Sequence, residues 1–405
     1  MIVPHNVTVL RLVVTNTQLG WIHFQENGSI LTVSIISSNL QLLPPSLKNL
    51  ANLTHLKIQQ SYIQHLNFDI LQWFQRLQTV DLKYNKIHTI TSSPNGKQRP
   101  KLSVLLLSNN QLKILNLEVL TPLGWFNLID LSHNELELVV GRFASNSLSR
   151  MLFTHNRLKA LDFCQWQPMP SMSSISFESN ELTVVPNCMG HFPRLSYVSF
   201  SSNRLTKINM AAFGTLDNLQ TVDLSFNRIS LITFREDRYP MRLEELVLRD
   251  NNIECSNPPD IPFCPLDIEF YRISPRQHAT KLRNVPRTLG NLKNLTKIKI
   301  QKSYIQHVNL DFLQAYKHLR TLDLQRNNIH TVTSSPHNTQ LYSFLELLLN
   351  YNQLKIVNLE IVPPLGWFRF LEISHNPLEL IVGRFASNKL VQIHLMYNRL
   401  KTLDF

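Results

Sequence analysis

The chain has 405 residues, a formal net charge of +12 and a hydrophobic fraction of 43%. That content supports a continuous core, and the low charged fraction of 17% excludes a disordered protein. With only 10 glycines and no glycine-rich phosphate-loop motif, a nucleotide-binding loop is excluded as well.

The N-terminal segment, Met1–Leu12, lacks the basic start, apolar centre and small-residue cleavage site of a secretory signal peptide. No apolar run in the chain approaches the ~18–20 residues that cross a bilayer. We therefore expect no membrane span. The protein is expected either to be cytoplasmic or to lack its true start.

A short repeat runs along almost the whole chain. The spacing Leu-x-x-Leu-x-Leu-x-x-Asn-x-Leu recurs every roughly 22 to 25 residues, in about fifteen units. Its Leu-x-Leu alternation has period two, which predicts a short strand with one buried face. The asparagine is expected to bond backbone groups of neighbouring coils that would otherwise be buried and unpaired. One clear unit contains Leu102, Leu105, Leu107, Asn110 and Leu112.

This spacing resembles the leucine-rich-repeat superfamily. The resemblance implies an α/β solenoid: a horseshoe with a parallel β-sheet on the concave face and loops or short helical turns on the convex face. The phrases at Ala211–Leu219 and Leu131–Leu136 resemble the typical extracellular class, and GWFNLIDLSHNELE and RLKALDF are similar to insect, in particular mosquito, immune proteins. That family implies a secreted recognition factor of haemolymph.

A whole block of the chain is duplicated. Residues 44–163 recur without a gap as residues 286–405, with more than half of the positions identical. We therefore predict an array over residues 1–254, a degenerate, proline-rich repeat or junction over 255–285, and a second array over 286–405. The second array stops inside a coil, which predicts a C-terminal truncation, either as a fragment or as two tandem genes read as one.

The cysteines and sequons bear on the cellular compartment. Cys164 and Cys188 occupy the same slot in successive coils, roughly 5 Å apart, which predicts a disulfide if the chain is exported. Cys255 and Cys264 form a second candidate pair, and four buried thiols are the alternative. No spacing suggests zinc, so neither a metal nor a cofactor is predicted. The candidate glycosylation sites are Asn6, Asn27, Asn52 and Asn294.

Catalysis is not predicted. Most of the 15 histidines fall in slots that the repeat defines, and no carboxylate pair, Ser–His–Asp order or HExxH motif stands out. Binding is predicted instead on the concave face, where side chains between the leucines point outward. Its candidate ligand-binding residues are an apolar patch on adjoining coils with two acidic slots: Leu106, Leu128, Leu152, Asp81 and Asp130.

A basic stretch is the other candidate. From Arg272 to Lys302 the chain has many lysines and arginines and no acidic residue, and Lys297, Lys299 and Lys302 lie on or beside the concave face. This stretch is either a solvated junction or a contact for an acidic protein, glycan or phosphorylated surface. Nucleic acid is less favoured, because aromatic residues for base stacking are few there.

The sequence therefore predicts a non-catalytic protein-recognition scaffold. The favoured hypothesis is a secreted innate-immunity factor that binds protein or glycan ligands, with another leucine-rich-repeat protein as one candidate partner. The alternatives are an intracellular leucine-rich-repeat scaffold or regulator and a basic heparin- or nucleic-acid-binding protein.

Overall fold

A computed structural model describes residues 1–93, 102–123, 125–233, 240–251, 295–302, 305–316, 318–334, 344–361, 368–383 and 390–401. Two compact units are present. The first comprises Met1–Leu182 and Pro186–Leu195, and the second comprises Thr183–Val185 and Ser196–Phe405. The predicted junction at 255–285, with Cys255 and Cys264, lies outside the described residues, so the junction and the domain boundaries stay predictions.

Each coil of the first unit contributes one strand to a main sheet. Successive strands pair in parallel. A short strand buries its central residue, as Leu105 is buried between the half-buried Val104 and Leu106, because side chains alternate across a strand. The main-sheet strands are Arg11–Thr15, Thr32–Ile36, His55–Gln59, Thr79–Asp81, Val104–Leu106, Leu128–Asp130, Arg150–Leu152 and Ser174–Ser176.

The second unit repeats this arrangement, again with parallel pairing between successive strands. The strand Glu245–Val247 pairs directly with Lys297–Lys299, although residues 252–294 lie between them in the chain. The parallel solenoid predicted from the repeat is confirmed. Its main-sheet strands here are Tyr197–Ser199, Thr221–Asp223, Glu245–Val247, Lys297–Lys299, Thr321–Asp323, Glu346–Leu348, Phe370–Glu372 and Gln392–His394.

The return segments hold paired short strands and 3₁₀ turns. Among the described residues no α-helix occurs, so the predicted helical turns are 3₁₀ turns. The strand pairs are Ile2–Val3 with His23–Phe24, His65–Asn67 with Thr89–Thr91, Ile114–Asn116 with Leu138–Val140, Lys207–Asn209 with Leu231–Thr233, His307–Asn309 with Thr331–Thr333, and Ile356–Asn358 with Leu380–Val382. The 3₁₀ turns are Pro45–Asn49, Phe68–Trp73, Leu117–Leu123, Met189–His191, Met210–Phe213, Leu310–Ala315 and Leu359–Ile361.

The repeat asparagines form the predicted ladder. The Asn134 Nδ2 donates to the Leu107 carbonyl at 3.0 Å and to the Leu131 carbonyl at 3.1 Å, while its Oδ1 accepts from the Leu112 amide at 3.1 Å. One buried side chain thus links two successive coils and satisfies backbone groups that water cannot reach. The same pattern holds at Asn110, Asn156, Asn227, Asn352 and Asn376.

Candidate binding faces

The outward face of the first unit is set by the strand register. The first residue of each strand is aligned with the first residue of the next, so that Val104, Leu128 and Arg150 form one row. The third residues form a second, parallel row, in which Asp130 lies between Leu106 and Leu152.

Four half-buried side chains in these rows form what we term the apolar patch, namely Val104, Leu106, Leu128 and Leu152. The register places the Asp130 carboxylate inside this patch, between two of its leucines. The Asp130 Oδ1 accepts from the Ser132 amide at 3.0 Å and from the Ser132 hydroxyl at 2.6 Å. Its charge is therefore engaged by its own turn, which lowers the cost of holding a carboxylate among apolar groups.

Arg150 lies at the edge of the apolar patch. It is directly opposite Leu128 on the neighbouring strand and is exposed. Among the ion pairs of the described residues none includes Arg150. An exposed guanidinium beside apolar side chains can bind a carboxylate through two parallel hydrogen bonds.

The second block holds different chemistry in the same slots. There Glu346, Phe370 and Gln392 form the first row, and Glu372 lies beside His394 in the second row. The Glu372 Oε2 lies 2.8 Å from the His394 Nδ1, and the His394 ring meets the Phe370 ring edge-on at 4.9 Å. An apolar patch in one copy is thus replaced by an acidic and aromatic cluster in the other.

The candidate Asp81 and its duplicate Asp323 both accept from a glutamine of the preceding coil. Gln59 Nε2 donates to Asp81 Oδ2 at 2.8 Å, and Gln301 Nε2 donates to Asp323 Oδ2. Burial raises the pKa of Asp323, against the lowering effect of its hydrogen bonds and of neighbouring lysines. Both carboxylates are largely buried, so the structure gives them a bridging role between coils.

The three candidate lysines have acidic neighbours that are distant from them in the sequence. The Lys299 Nζ lies 2.7 Å from Glu245 Oε1, the Lys302 Nζ lies 3.8 Å from Asp250 Oδ2, and Lys297 lies opposite Glu245 in the sheet. Burial lowers the pKa of Lys299, but the hydrogen bond and the charge of Glu245 outweigh it, so that this pKa is raised. The lysines are thus half-buried members of a mixed-charge surface.

Aromatic rings stack at the edge of the main sheet, which the sequence did not predict. The residue before each ladder asparagine has a left-handed backbone, with φ of 53° at His133 and 54° at His155. The rings of these two histidines stack at 4.2 Å. In the second unit His375 stacks between Tyr351, at 4.2 Å, and Tyr397, at 4.3 Å. The sequence signal that could have predicted this stacking is the recurrence of aromatic residues directly before the ladder asparagines, since equivalent positions of successive coils lie roughly 5 Å apart.

Cys164 and Cys188 are joined by a disulfide, with Cα atoms 5.1 Å apart. Together with Asp162 they form a group of potential metal ligands in the described part of the chain. A disulfide offers no thiolate, and the thiolate is the form of cysteine that binds a metal. The chemistry of this group therefore fits a covalent link between coils rather than a metal site.

The sequons differ in their surroundings. Asn6 is exposed, and Asn52 is half-buried, with its Nδ2 donating to the Gly28 carbonyl at 2.9 Å. Asn27 is only 5% exposed, and its Nδ2 donates to the carbonyls of two residues in the preceding coil. Asn294 lies outside the described residues. The buried Asn27 side chain thus bonds backbone groups of the preceding coil, as the ladder asparagines do.

The stacked coils, the asparagine ladder and the outward strand faces define a leucine-rich-repeat solenoid. A family model described as leucine rich repeat matches residues 193–253. The chain therefore has a leucine-rich-repeat fold, and residues 193–253 also match that family by sequence. In the described residues no helix is long and apolar enough to span a membrane.

Two relatives show how the chain compares in sequence. Adenylate cyclase of Schizosaccharomyces pombe is 24% identical over 412 residues, which cover 95% of this chain and 23% of the cyclase. Tsukushi of Gallus gallus is 28% identical over 255 residues, covering 60% of this chain and 67% of Tsukushi. The chain thus spans less than a quarter of the cyclase and about two thirds of Tsukushi.

Solved structures show the same fold. The leucine-rich-repeat protein LIC12759 of Leptospira interrogans aligns with a TM-score of 0.59 at 20% identity, covering 89% of this chain and 85% of that one. The LRIM1/APL1C complex aligns with a TM-score of 0.59 at 16% identity, covering 96% of this chain and 61% of the matched chain. At these identities the likeness concerns the fold alone.

Proposed function

We propose that the chain is a secreted, non-catalytic recognition scaffold that binds a protein or glycan ligand through its outward strand faces. One observation carries the proposal: the duplicated block retains its core while its outward slots change character. The buried Leu105 has a buried counterpart in Leu347, whereas the adjacent outward Val104 corresponds to Glu346. A scaffold that varies its exposed side chains on a constant core is suited to recognition.

Two observations support a place outside the cell and a role in innate immunity. The Cys164–Cys188 disulfide is of a kind that persists in oxidising compartments. The insect proteins to which the sequence phrases are similar are immune factors, and the LRIM1/APL1C structure is a complex, which makes another leucine-rich-repeat protein a reasonable partner.

The basic heparin- or nucleic-acid-binding alternative is less favoured. Two of the three lysines on which it depends are paired with Glu245 and Asp250. A polyanion would have to displace these carboxylates. The redox state of the cysteines distinguishes the intracellular alternative from the secreted one, since a reducing compartment leaves Cys164 and Cys188 as thiols.

The test uses the full chain, expressed behind an added secretory leader and mapped by mass spectrometry without reduction. Proximity labelling in extracellular fluid then compares wild type with a face variant, Leu128→Arg with Phe370→Arg, and with a return-segment variant, Lys113→Glu. We expect proteins labelled by wild type and by Lys113→Glu to be lost with the face variant. Equal labelling by all three chains would reject the proposal.

A further inference from the structure

We infer that the apolar patch with Arg150 is the docking site for an extended segment of a protein partner that presents apolar side chains beside a carboxylate. This inference rests on the proposed function and deepens it by naming the partner's chemistry. It concerns the first unit alone.

The apolar part of the site lies on three adjacent strands. Val104 and Leu128 are direct neighbours, and Leu106 lies beside Val104 on the same strand face. Each of these side chains is half-buried, so that part of its surface stays accessible to solvent. Such side chains lose little further conformational entropy on binding, which makes them suitable anchors at the centre of an interface.

Charge selects an acidic partner over a basic one. Arg150 is exposed beside Leu128 and has no acidic partner among the described ion pairs. The Asp130 carboxylate is engaged by the amide and hydroxyl of Ser132. Asp130 keeps its charge but is half-buried, whereas Arg150 is exposed beside the patch, and the net charge of +12 favours the approach of an acidic segment. Arginine at the rim of an apolar area is a common anchor for binding.

The duplicated block supplies a matched set of substitutions. It carries Glu346 in the slot of Val104, His394 in the slot of Leu152 and Gln392 in the slot of Arg150. The same coil geometry thus accommodates these residues elsewhere in the chain. The variants Val104→Glu with Leu152→His, and Arg150→Gln, are therefore expected to fold, which a thermal melt of each checks.

The probe is a random peptide library displayed on phage and selected on the full wild-type chain. We expect enriched peptides in which Asp or Glu lies within two residues of Leu, Phe or Ile. Synthetic copies should bind the wild-type chain and lose about tenfold or more in affinity with Arg150→Gln and with Val104→Glu plus Leu152→His. The control Glu346→Val, at the equivalent slot of the second block, should leave their affinity unchanged.

The outcomes separate this inference from the proposed function. Peptides that bind equally to wild type and to both patch variants, or a library that yields no binder, would overturn the docking site. Enriched peptides that lack acidic residues and ignore Arg150→Gln would overturn the partner chemistry. If the peptides are lost with Glu346→Val instead, recognition by an outward face stands while the inference for this patch fails.

Discussion

Lys299 and Glu245 are paired, with Nζ and Oε1 2.7 Å apart, although residues 246–298 lie between them in the chain. The pair forms because the strands that carry them are neighbours in one sheet. Both side chains are about 30% exposed, so the pair contributes only about 0–1 kcal/mol to stability. Its larger effect is to neutralise a lysine that the sequence alone assigns to a basic surface.

Removing the Glu245 charge should leave the Lys299 ammonium group available to an anionic ligand. We expect Glu245→Gln to elute from a heparin column at higher salt than wild type, because the unpaired Lys299 can make about one additional ionic contact with heparin. The control Glu379→Gln makes the same change in net charge at an exposed residue with no paired lysine in the described structure. Equal shifts for the two variants would contradict the masking of Lys299.

Gly141 should not tolerate a side chain. Its φ is +91°, and an added Cβ would overlap the Asn116 Oδ1, which accepts a hydrogen bond from the Glu118 amide. We expect Gly141→Ala to lower the free energy of unfolding by about 2 kcal/mol. The control Gly20→Ala meets no atom within 4 Å and should be nearly neutral in urea unfolding.

Gly383, in the second block, has a φ of +86° and the same contact with Asn358. Gly383→Ala should therefore resemble Gly141→Ala. A neutral result at both sites would show that the turn accommodates a Cβ by a local shift.

The Cys164–Cys188 disulfide should stabilise the folded chain. It closes a loop with a sequence separation of 24 residues. We expect the double variant Cys164→Ala with Cys188→Ala to lose about 2–4 kcal/mol of unfolding free energy, because the open chain gains conformational freedom. Thermal unfolding with and without reductant measures this loss, and a reductant effect that persists in the double variant would point to other cysteines.

Asn27 should carry no glycan in folded, secreted protein. Its amide nitrogen donates to the carbonyls of His5 and Val7, and its Oδ1 accepts from the amides of Ser29 and Ile30. We expect Asn27→Asp to cost about 1–3 kcal/mol, since a carboxylate oxygen would then face two carbonyl oxygens. Glycopeptide mapping tests the occupancy. A glycan on Asn27 in natively folded material would contradict this geometry.

Asp323 should contribute a pH dependence to stability. Burial raises the pKa of its carboxyl group above the unfolded value. Between the unfolded and folded pKa values the native state binds more protons than the unfolded state, so stability falls as pH rises through that interval. Urea unfolding from about pH 4 to pH 7 should show a smaller fall in Asp323→Asn than in wild type. An unchanged slope would assign the dependence to other groups.

Much of the fold follows from the sequence. Leu105 and Asn110 occupy repeat slots whose spacing alone predicts a buried strand centre and a ladder asparagine, and both predictions are confirmed. The positions of Cys164 and Cys188 in one slot of successive coils likewise led to the pair that the structure joins. These features depend on a short period in the sequence. A single sequence is enough to detect that period, because each coil repeats the same local geometry.

The tertiary structure decided the character of the faces. It placed Asp130 between Leu106 and Leu152, brought Glu245 against Lys299, and stacked the rings of His133 and His155. None of these contacts is local. Each depends on the register between successive coils, and the Glu245–Lys299 pair depends also on the direct pairing of strands that residues 252–294 separate in the chain. Spacing within one repeat does not specify which side chains meet across coils.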